Sequence, residues 1–347
     1  MLIDSRRKRV VCAVESKLWR SEDHARTKGR LPCVRDQFLY LSPFQSTSMN
    51  FNSAIWFLTG AMLLYVIRRY TTAKKTSVAQ RTILVTGASS GIGREIAKQL
   101  AARGASLILV ARRLELLEEV CRDCQRLGAP SVVPCTVDLT SDHAPVAMLN
   151  AIQKCSVDGN LFMAFFNAGL GGISPLDSCD MSGTMQMARN LMEVNYFANV
   201  RAVHQLLPRM CQTGRLVFVS SVSGVITTPN RTLYCASKFA LQGFCNALRT
   251  ELRSTHRRIG VTVACPGLVR TEFHEKVLTN GTVSPKRDDK GFMSSEECAR
   301  QIVEAAVMQQ DELIMTWSAW LGYLVRPLFP RLVDDLAARK AAASVKH

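Results

Sequence analysis

Thr82-Ile83-Leu84-Val85-Thr86-Gly87-Ala88-Ser89-Ser90-Gly91-Ile92-Gly93 is the stretch whose reading decides the fold. Its first residues form a β-branched, apolar run that predicts a strand. The glycines at 87, 91 and 93 predict a tight turn, and Arg94-Glu95-Ile96-Ala97-Lys98-Gln99-Leu100 predicts an amphipathic helix behind it. Strand, glycine-rich turn and helix together make a cradle for a dinucleotide pyrophosphate. One glycine lets the chain turn, the others let backbone N–H groups approach the phosphates, and the helix N-terminus adds partial positive charge. The spacing is G-x-x-x-G-x-G rather than G-x-G-x-x-G, so the turn is longer. Glycine spacing alone is a weak signal, and the flanking strand and helix give it weight. Gly87, Ser89, Ser90, Gly91, Ile92 and Gly93 are therefore the first candidate cofactor-binding residues.

Outward from this turn, strand and helix patterns alternate. Strands are predicted at 82–86, 106–111, 132–138, 161–167, 215–221 and 260–266, with a shorter one near 312–316. Several are continuous apolar runs, as parallel strands buried on both faces require. The fold class is α/β: a Rossmann-type doubly wound parallel sheet forming a single catalytic domain over 81–316. Ligands of such sheets bind beyond the carboxyl ends of the strands. The polar segment 268–292 is expected as a long loop over that edge.

Charge is placed unevenly. Of the net +16, residues 1–48 contribute ten Lys and Arg against five acids, and 68–81 adds five cations with no acid. These clusters flank the uncharged, apolar run 54–67. Such a pattern suits a membrane-anchored protein better than a nucleic-acid binder, whose cations would stripe the folded domain. Residues 1–48 are expected to be a basic, disordered extension, and the change of character at Met49 predicts that translation naturally begins there. Residues 49–70 are expected to form a membrane-anchor helix, short for a span, with an interfacial or buried helix as the alternative. Residues 71–80 read as a linker. Arg68 and Arg69 on the C-terminal flank put the catalytic domain in the cytoplasm, at the endoplasmic reticulum membrane. Of the twelve cysteines only Cys121 and Cys124 are closely spaced, without a second pair or histidine cluster. No metal site is expected, and the thiols read as small hydrophobes.

Chemistry concentrates at the strand ends. Arg112, after the second strand, suits a 2′-phosphate where an acid would repel one, which favours NADP(H) over NAD(H). A solvated strand-end arginine is the alternative. Asp138, with Leu139 behind it, is placed to accept from an adenine amino group, and Asn167-Ala168-Gly169 lets backbone approach the cofactor. In Tyr234-Cys235-Ala236-Ser237-Lys238, helical i, i+4 spacing points a phenol and an ammonium into one cleft. A nearby cation favours phenolate and makes the phenol a better proton donor and acceptor. Ser221, thirteen residues upstream, offers a hydroxyl to a substrate carbonyl.

These motifs, with Asn195 and Pro266-Gly267, resemble the short-chain dehydrogenase/reductase family from about Arg81 to Thr316. The resemblance implies that Tyr234 is the general acid/base and that Ser221 positions the carbonyl. It implies that Lys238 binds the nicotinamide ribose and acidifies the tyrosine, and that Asn195 holds a relay water. Thr271 would contact the nicotinamide carboxamide. Within the family, Tyr234 to Phe244, Met192-Glu193-Val194-Asn195 and Glu296-Glu297-Cys298-Ala299 are similar to the membrane-anchored branch of 11-beta-hydroxysteroid dehydrogenase type 1. That enzyme faces the lumen, so the cytoplasmic orientation read from Arg68 and Arg69 departs from it. Asn230-Arg231-Thr232 and Asn280-Gly281-Thr282 read as chance glycosylation sequons.

The expected activity is hydride transfer between NADP(H) and a carbonyl or secondary alcohol of a lipophilic substrate, of steroid, retinoid or sphingoid type. A non-catalytic dinucleotide-binding membrane scaffold is the alternative. A homodimer is expected, and no nucleic-acid partner. The C-terminal segment 317–347 places Trp317, Trp320, Leu321, Leu324, Leu328 and Leu332 at helical spacing, interrupted by Pro327 and Pro330. Its apolar face packs on the domain or a dimer mate, or else lies on a membrane surface.

Overall fold

A computed structural model describes residues 56, 60, 75–178, 180–279 and 291–345. The extension 1–48, nearly all of the candidate anchor 49–70, and the sequon at Asn280 lie outside the described residues. Two compact units divide the chain, Met1–Val66 and Ile67–His347, and all that follows concerns the second.

The second unit is built on a seven-stranded parallel sheet. Its strands are β1 (Thr82–Thr86), β2 (Ser106–Ala111), β3 (Val132–Thr136), β4 (Leu161–Phe166), β6 (Met210–Val219), β7 (Gly260–Cys265) and β11 (Glu312–Ile314). They lie in the order β11-β7-β6-β4-β1-β2-β3, so the order reverses between β1 and β4. Ligands of doubly wound sheets bind at that switch point.

Alternation along each strand feeds two cores. Ile83, Val85, Leu107 and Leu109 face one, where helices α1 (Gly91–Ala101), α2 (Leu114–Arg126) and α7 (Ser295–Val307) cover the sheet. Leu84, Ile108 and Val110 face the other, covered by α3 (Ala144–Cys155), α5 (Ala198–Leu206) and α6 (Thr232–Ser254). Both faces are dry, which is why the strands read as unbroken apolar runs.

Between α4 (Met181–Met192) and α5 the helix continues through one π-helical turn, Glu193–Phe197. Pi turns of this kind re-aim side chains locally. β6 begins five residues earlier than the apolar run predicts and ends at Val219 rather than at 221. An irregular register between Leu161 and Met163 on β4 admits the extra residues. Two short pairings lie within the described residues of the segment expected as a loop. β8 (Val269–Arg270) pairs with β10 (Met293–Ser294), and β9 (Leu278–Thr279) pairs with β5 (Gly172–Ile173).

The C-terminal segment forms α8 (Trp317–Val325) and α9 (Pro330–Val345), with Pro330 opening the second helix, where its missing N–H costs nothing. Ala319 and Val333 are buried, but Trp317 and Leu328 are 71% and 76% exposed. Leu321, Leu324, Leu332 and Leu336 are exposed as well. Within the single chain, most of this apolar face is uncovered. Among the described residues no helix is long and apolar enough to cross a membrane.

Candidate active site

The glycine turn follows β1 and is fastened to the end of β4. Thr86 Oγ1 accepts from the N–H groups of Asn167 (3.0 Å) and Ala168 (3.1 Å) and donates to the Phe165 carbonyl. Asn167 Nδ2 donates to the carbonyls of Thr86 (3.1 Å) and Gly87 (3.3 Å). Gly87 and Gly91 take φ of +64° and +54°, where a side chain is strained. At Gly93 a Cβ would stand 2.3 Å from the Gly87 carbonyl oxygen and 2.4 Å from Asn167 Nδ2, so helix and turn can close only on a glycine. Ser90, the residue before α1, makes no side-chain capping bond, and the first N–H groups of the helix keep their donors for a ligand. A pyrophosphate fits such a cradle.

Around the turn, Arg112 is exposed and pairs loosely with Asp138 at 3.7 Å. Asp138 accepts from the backbone N–H and hydroxyl of Thr140, and these bonds hold its carboxyl below the usual range. Arg113 reaches the turn itself, donating to Ser89 Oγ (3.3 Å) and Ser90 Oγ (3.0 Å) and pairing with Glu272 at 3.5 Å. Arg113 was not among the expected site residues. Its only sequence signal is position, one step beyond Arg112 at the end of β2. Ile92 packs on the first core, and Leu139 on the second. The Thr271 side chain lies over Gly91, and its hydroxyl accepts from the Phe273 N–H to open a short 3-10 turn. The Pro266 carbonyl accepts from the Val222 N–H, and Gly267 leaves room for Thr316.

On the other wall, Ser221 follows the end of β6 and accepts from the Ser223 N–H through its hydroxyl. α6 carries Tyr234 and Lys238 on its buried face, 5% and 4% exposed. The Ser221 hydroxyl also acts on the phenol, drawing it down against burial. Lys238 Nζ donates to the Val219 carbonyl at 3.2 Å and lies 5.9 Å from the Tyr234 ring centre. Asn195, on the π turn, is fully buried. Its Oδ1 accepts from the Leu170 N–H at 2.8 Å, and its Nδ2 donates to the Leu170 carbonyl and to Ser237 Oγ. Ser237 in turn donates to the Tyr234 carbonyl. The amide hydrogens of Asn195 are thus committed to tying three segments together, and Ser237 is a bridging residue that sequence reasoning missed. Gly169 lies between Asn195 and Lys238, where a Cβ would meet Oδ1 at 3.2 Å and Nζ at 3.5 Å.

Burial pushes the phenol of Tyr234 up. The Ser221 hydroxyl and the Arg231 guanidinium oppose that burial. Burial drives the Lys238 ammonium down to about 8, because a dry site disfavours the charged form. Cys265, under the site, is pushed up to about 12 by the same burial. All nine described cysteines are unbridged.

The structure thus gathers the candidate residues into two facing walls at the carboxyl edge of a doubly wound sheet, one of backbone and glycine, one of hydroxyl, phenol and amine. The sequence profile of the short chain dehydrogenase family matches residues 81–281, and the chain belongs to that family of oxidoreductases, whose fold binds nicotinamide dinucleotides. A Dehydrogenase/reductase SDR family protein 7-like of Dictyostelium discoideum is 33% identical over 78% of this chain and 85% of its own length. A Hydroxysteroid 11-beta-dehydrogenase 1-like protein B of Xenopus laevis is 35% identical over 79% of this chain and 91% of its own. The human Dehydrogenase/reductase SDR family member 7 is 34% identical over 69% and 76%. Among solved structures, a short chain dehydrogenase/reductase of Burkholderia phymatum in complex with NAD aligns with a TM-score of 0.64. It is 20% identical and covers 74% of this chain and 96% of its own, a likeness of fold. An alcohol dehydrogenase of Thermococcus sibiricus complexed with 5-hydroxy-NADP aligns at 0.57 with 22% identity, covering 68% and 96%.

Proposed function

We propose that this chain is an NADP(H)-dependent oxidoreductase acting on a carbonyl or secondary alcohol of a lipophilic substrate of steroid, retinoid or sphingoid type. The observation that carries the reading is the meeting of Ser221, Tyr234 and Lys238 at the strand edge beside the glycine turn. The turn from Gly87 to Gly93, with Asn167, Ala168 and Gly169 beside it, would hold the pyrophosphate and the nicotinamide half. Pro266, Gly267 and Thr271 line the same crevice. When bound, the nicotinamide supplies or accepts the hydride.

The chain's own residues handle the substrate oxygen and its proton. Ser221 donates a hydrogen bond to that oxygen, where charge develops. Tyr234 delivers a proton to it in reduction and removes one in oxidation. Lys238 donates to ribose hydroxyls, and Asn195 holds the wall on which a relay water rests. Arg113 beside Ser89 and Ser90, with Arg112 next to it in sequence, supports a 2′-phosphate over a plain ribose, since guanidinium and phosphate match as charged forks.

The lipophilic class is supported by the hydroxysteroid dehydrogenase-like relatives and by the uncovered apolar face of α8 and α9. That face and the run 49–70 together suit attachment to a membrane, with the domain on the cytoplasmic side of the endoplasmic reticulum and two chains associating. A non-catalytic scaffold is not favoured, because it needs none of Ser221, Tyr234, Lys238 and Asn195.

The test is turnover by the detergent-solubilised full chain on a panel of hydrophobic ketones with NADPH, followed by loss of near-ultraviolet absorbance. We expect turnover, and with Tyr234→Phe a fall of roughly 10²–10⁴-fold with dinucleotide binding intact. Wild-type rates in that variant would end the assignment.

A further inference from the structure

Arg231 has no task in the reading above. It stands one residue before α6, half-buried, with its guanidinium carbon 5.9 Å from the Tyr234 ring centre. Among the described residues it has no carboxylate partner. Its backbone is held on both sides. Its N–H donates to the Thr228 carbonyl at 3.3 Å, and its carbonyl accepts from the Cys235 N–H at 2.7 Å. The preceding Asn230 takes φ +60°, and its carbonyl accepts from the Ser174 N–H at 2.7 Å. A firmly held turn therefore aims a cation over the phenol face.

Partly burying a guanidinium without an anion is unfavourable unless an anion forms beside it. In the proposed reaction the neighbour that becomes an anion is Tyr234. Resting on that reading, we propose that Arg231 is a positioning residue that stabilises the Tyr234 phenolate alongside Lys238.

The two cations are equally far from the ring, and their chemistry differs. The Lys238 ammonium is turned to the Val219 carbonyl, and burial lowers it to about 8, so it loses its charge on the alkaline side of neutrality. A guanidinium keeps its charge throughout the working range. Burial lowers the Arg231 guanidinium from its usual value and the phenol offsets part of that, while Arg231 in turn draws the phenol down. The other titratable groups that act on the phenol are two buried thiols, Cys235 on α6 and Cys265 on β7, and burial keeps both protonated. The elements packed on α6 from the other side, α4 and the π turn, carry Arg189, Glu193 and Tyr196. None of these bears on the phenol.

The experiment follows alcohol oxidation by the full chain against pH, where Tyr234 must be phenolate to take the alcohol proton. Arg231→Gln should move the acid limb of kcat/KM upward by about one pH unit, close to a tenfold loss at a fixed pH below it. Arg231→Lys should largely restore the limb. A second reading needs no turnover: the phenolate absorbance of Tyr234, taken as the difference between each protein and its Tyr234→Phe counterpart. In Arg231→Gln that band should appear at higher pH than in the wild type. An unmoved limb with an unmoved band overturns the inference, as does a change confined to KM, which would make Arg231 a substrate contact. If no protein in the set turns over any substrate, the proposed function fails and the absorbance titration alone decides on Arg231.

Discussion

At the ends of β1 and β4 the crevice is walled by backbone; at the end of β6 and along α6 it is walled by side chains. The first wall works by exclusion. Gly87, Gly91 and Gly93 leave room that a methyl group would take, and Asn167 and Thr86 spend their polar atoms fastening the turn. The second wall works by electrostatics, with a phenol, an ammonium and a guanidinium held where water is scarce. The lesson is that a changed atom disturbs them differently: on the first it alters shape, on the second protonation.

Breaking the first wall should have the largest effect. Gly93→Ala drives a methyl group into the Gly87 carbonyl, which is backbone and cannot yield cheaply. Dinucleotide affinity should fall at least about a hundredfold, with stability lower by about 1–3 kcal/mol. Fluorescence titration with NADPH and a thermal melt check this. A smaller effect is expected where the walls meet the adenosine end. Arg113→Gln removes the guanidinium that bonds Ser89 and Ser90, and NADPH affinity should drop about tenfold while NADH affinity changes little. Equal loss for both dinucleotides would mean that Arg113 only braces the turn. The smallest effect sharpens the contrast. Gly243 lies mid-helix in α6 with open space where its Cβ would be, so Gly243→Ala should raise stability by about 0.5–1 kcal/mol. A melt that moved down instead would show that glycine there serves packing.

The first wall was largely legible in the sequence, because strand period and glycine position are local signals. β1 and β2 fall where their apolar runs predict, and α1 follows the turn directly. The second wall was legible in its residues but not in its electrostatics. That Tyr234 and Lys238 share a face follows from helical spacing. That burial raises the phenol, and that Arg231 leans over the ring, depends on packing between distant segments. The π turn that sinks Asn195, and the early start of β6, have no local signature either. Each is a register adjustment imposed by neighbours. Arg113 escaped notice because a strand-end pair of arginines gives no clue to which one bends back.

The Thr86 hydroxyl receives two amide hydrogens and gives its own to Phe165, so every direction in which it can bond is taken. The gauge of the slot between these two strand ends is therefore set before any guest arrives. A guest too thick for it cannot be accommodated by spreading the sheet. On the proposed reading, selection at this end would rest on a fixed aperture, and adjustment to an incoming molecule would fall to the opposite lip.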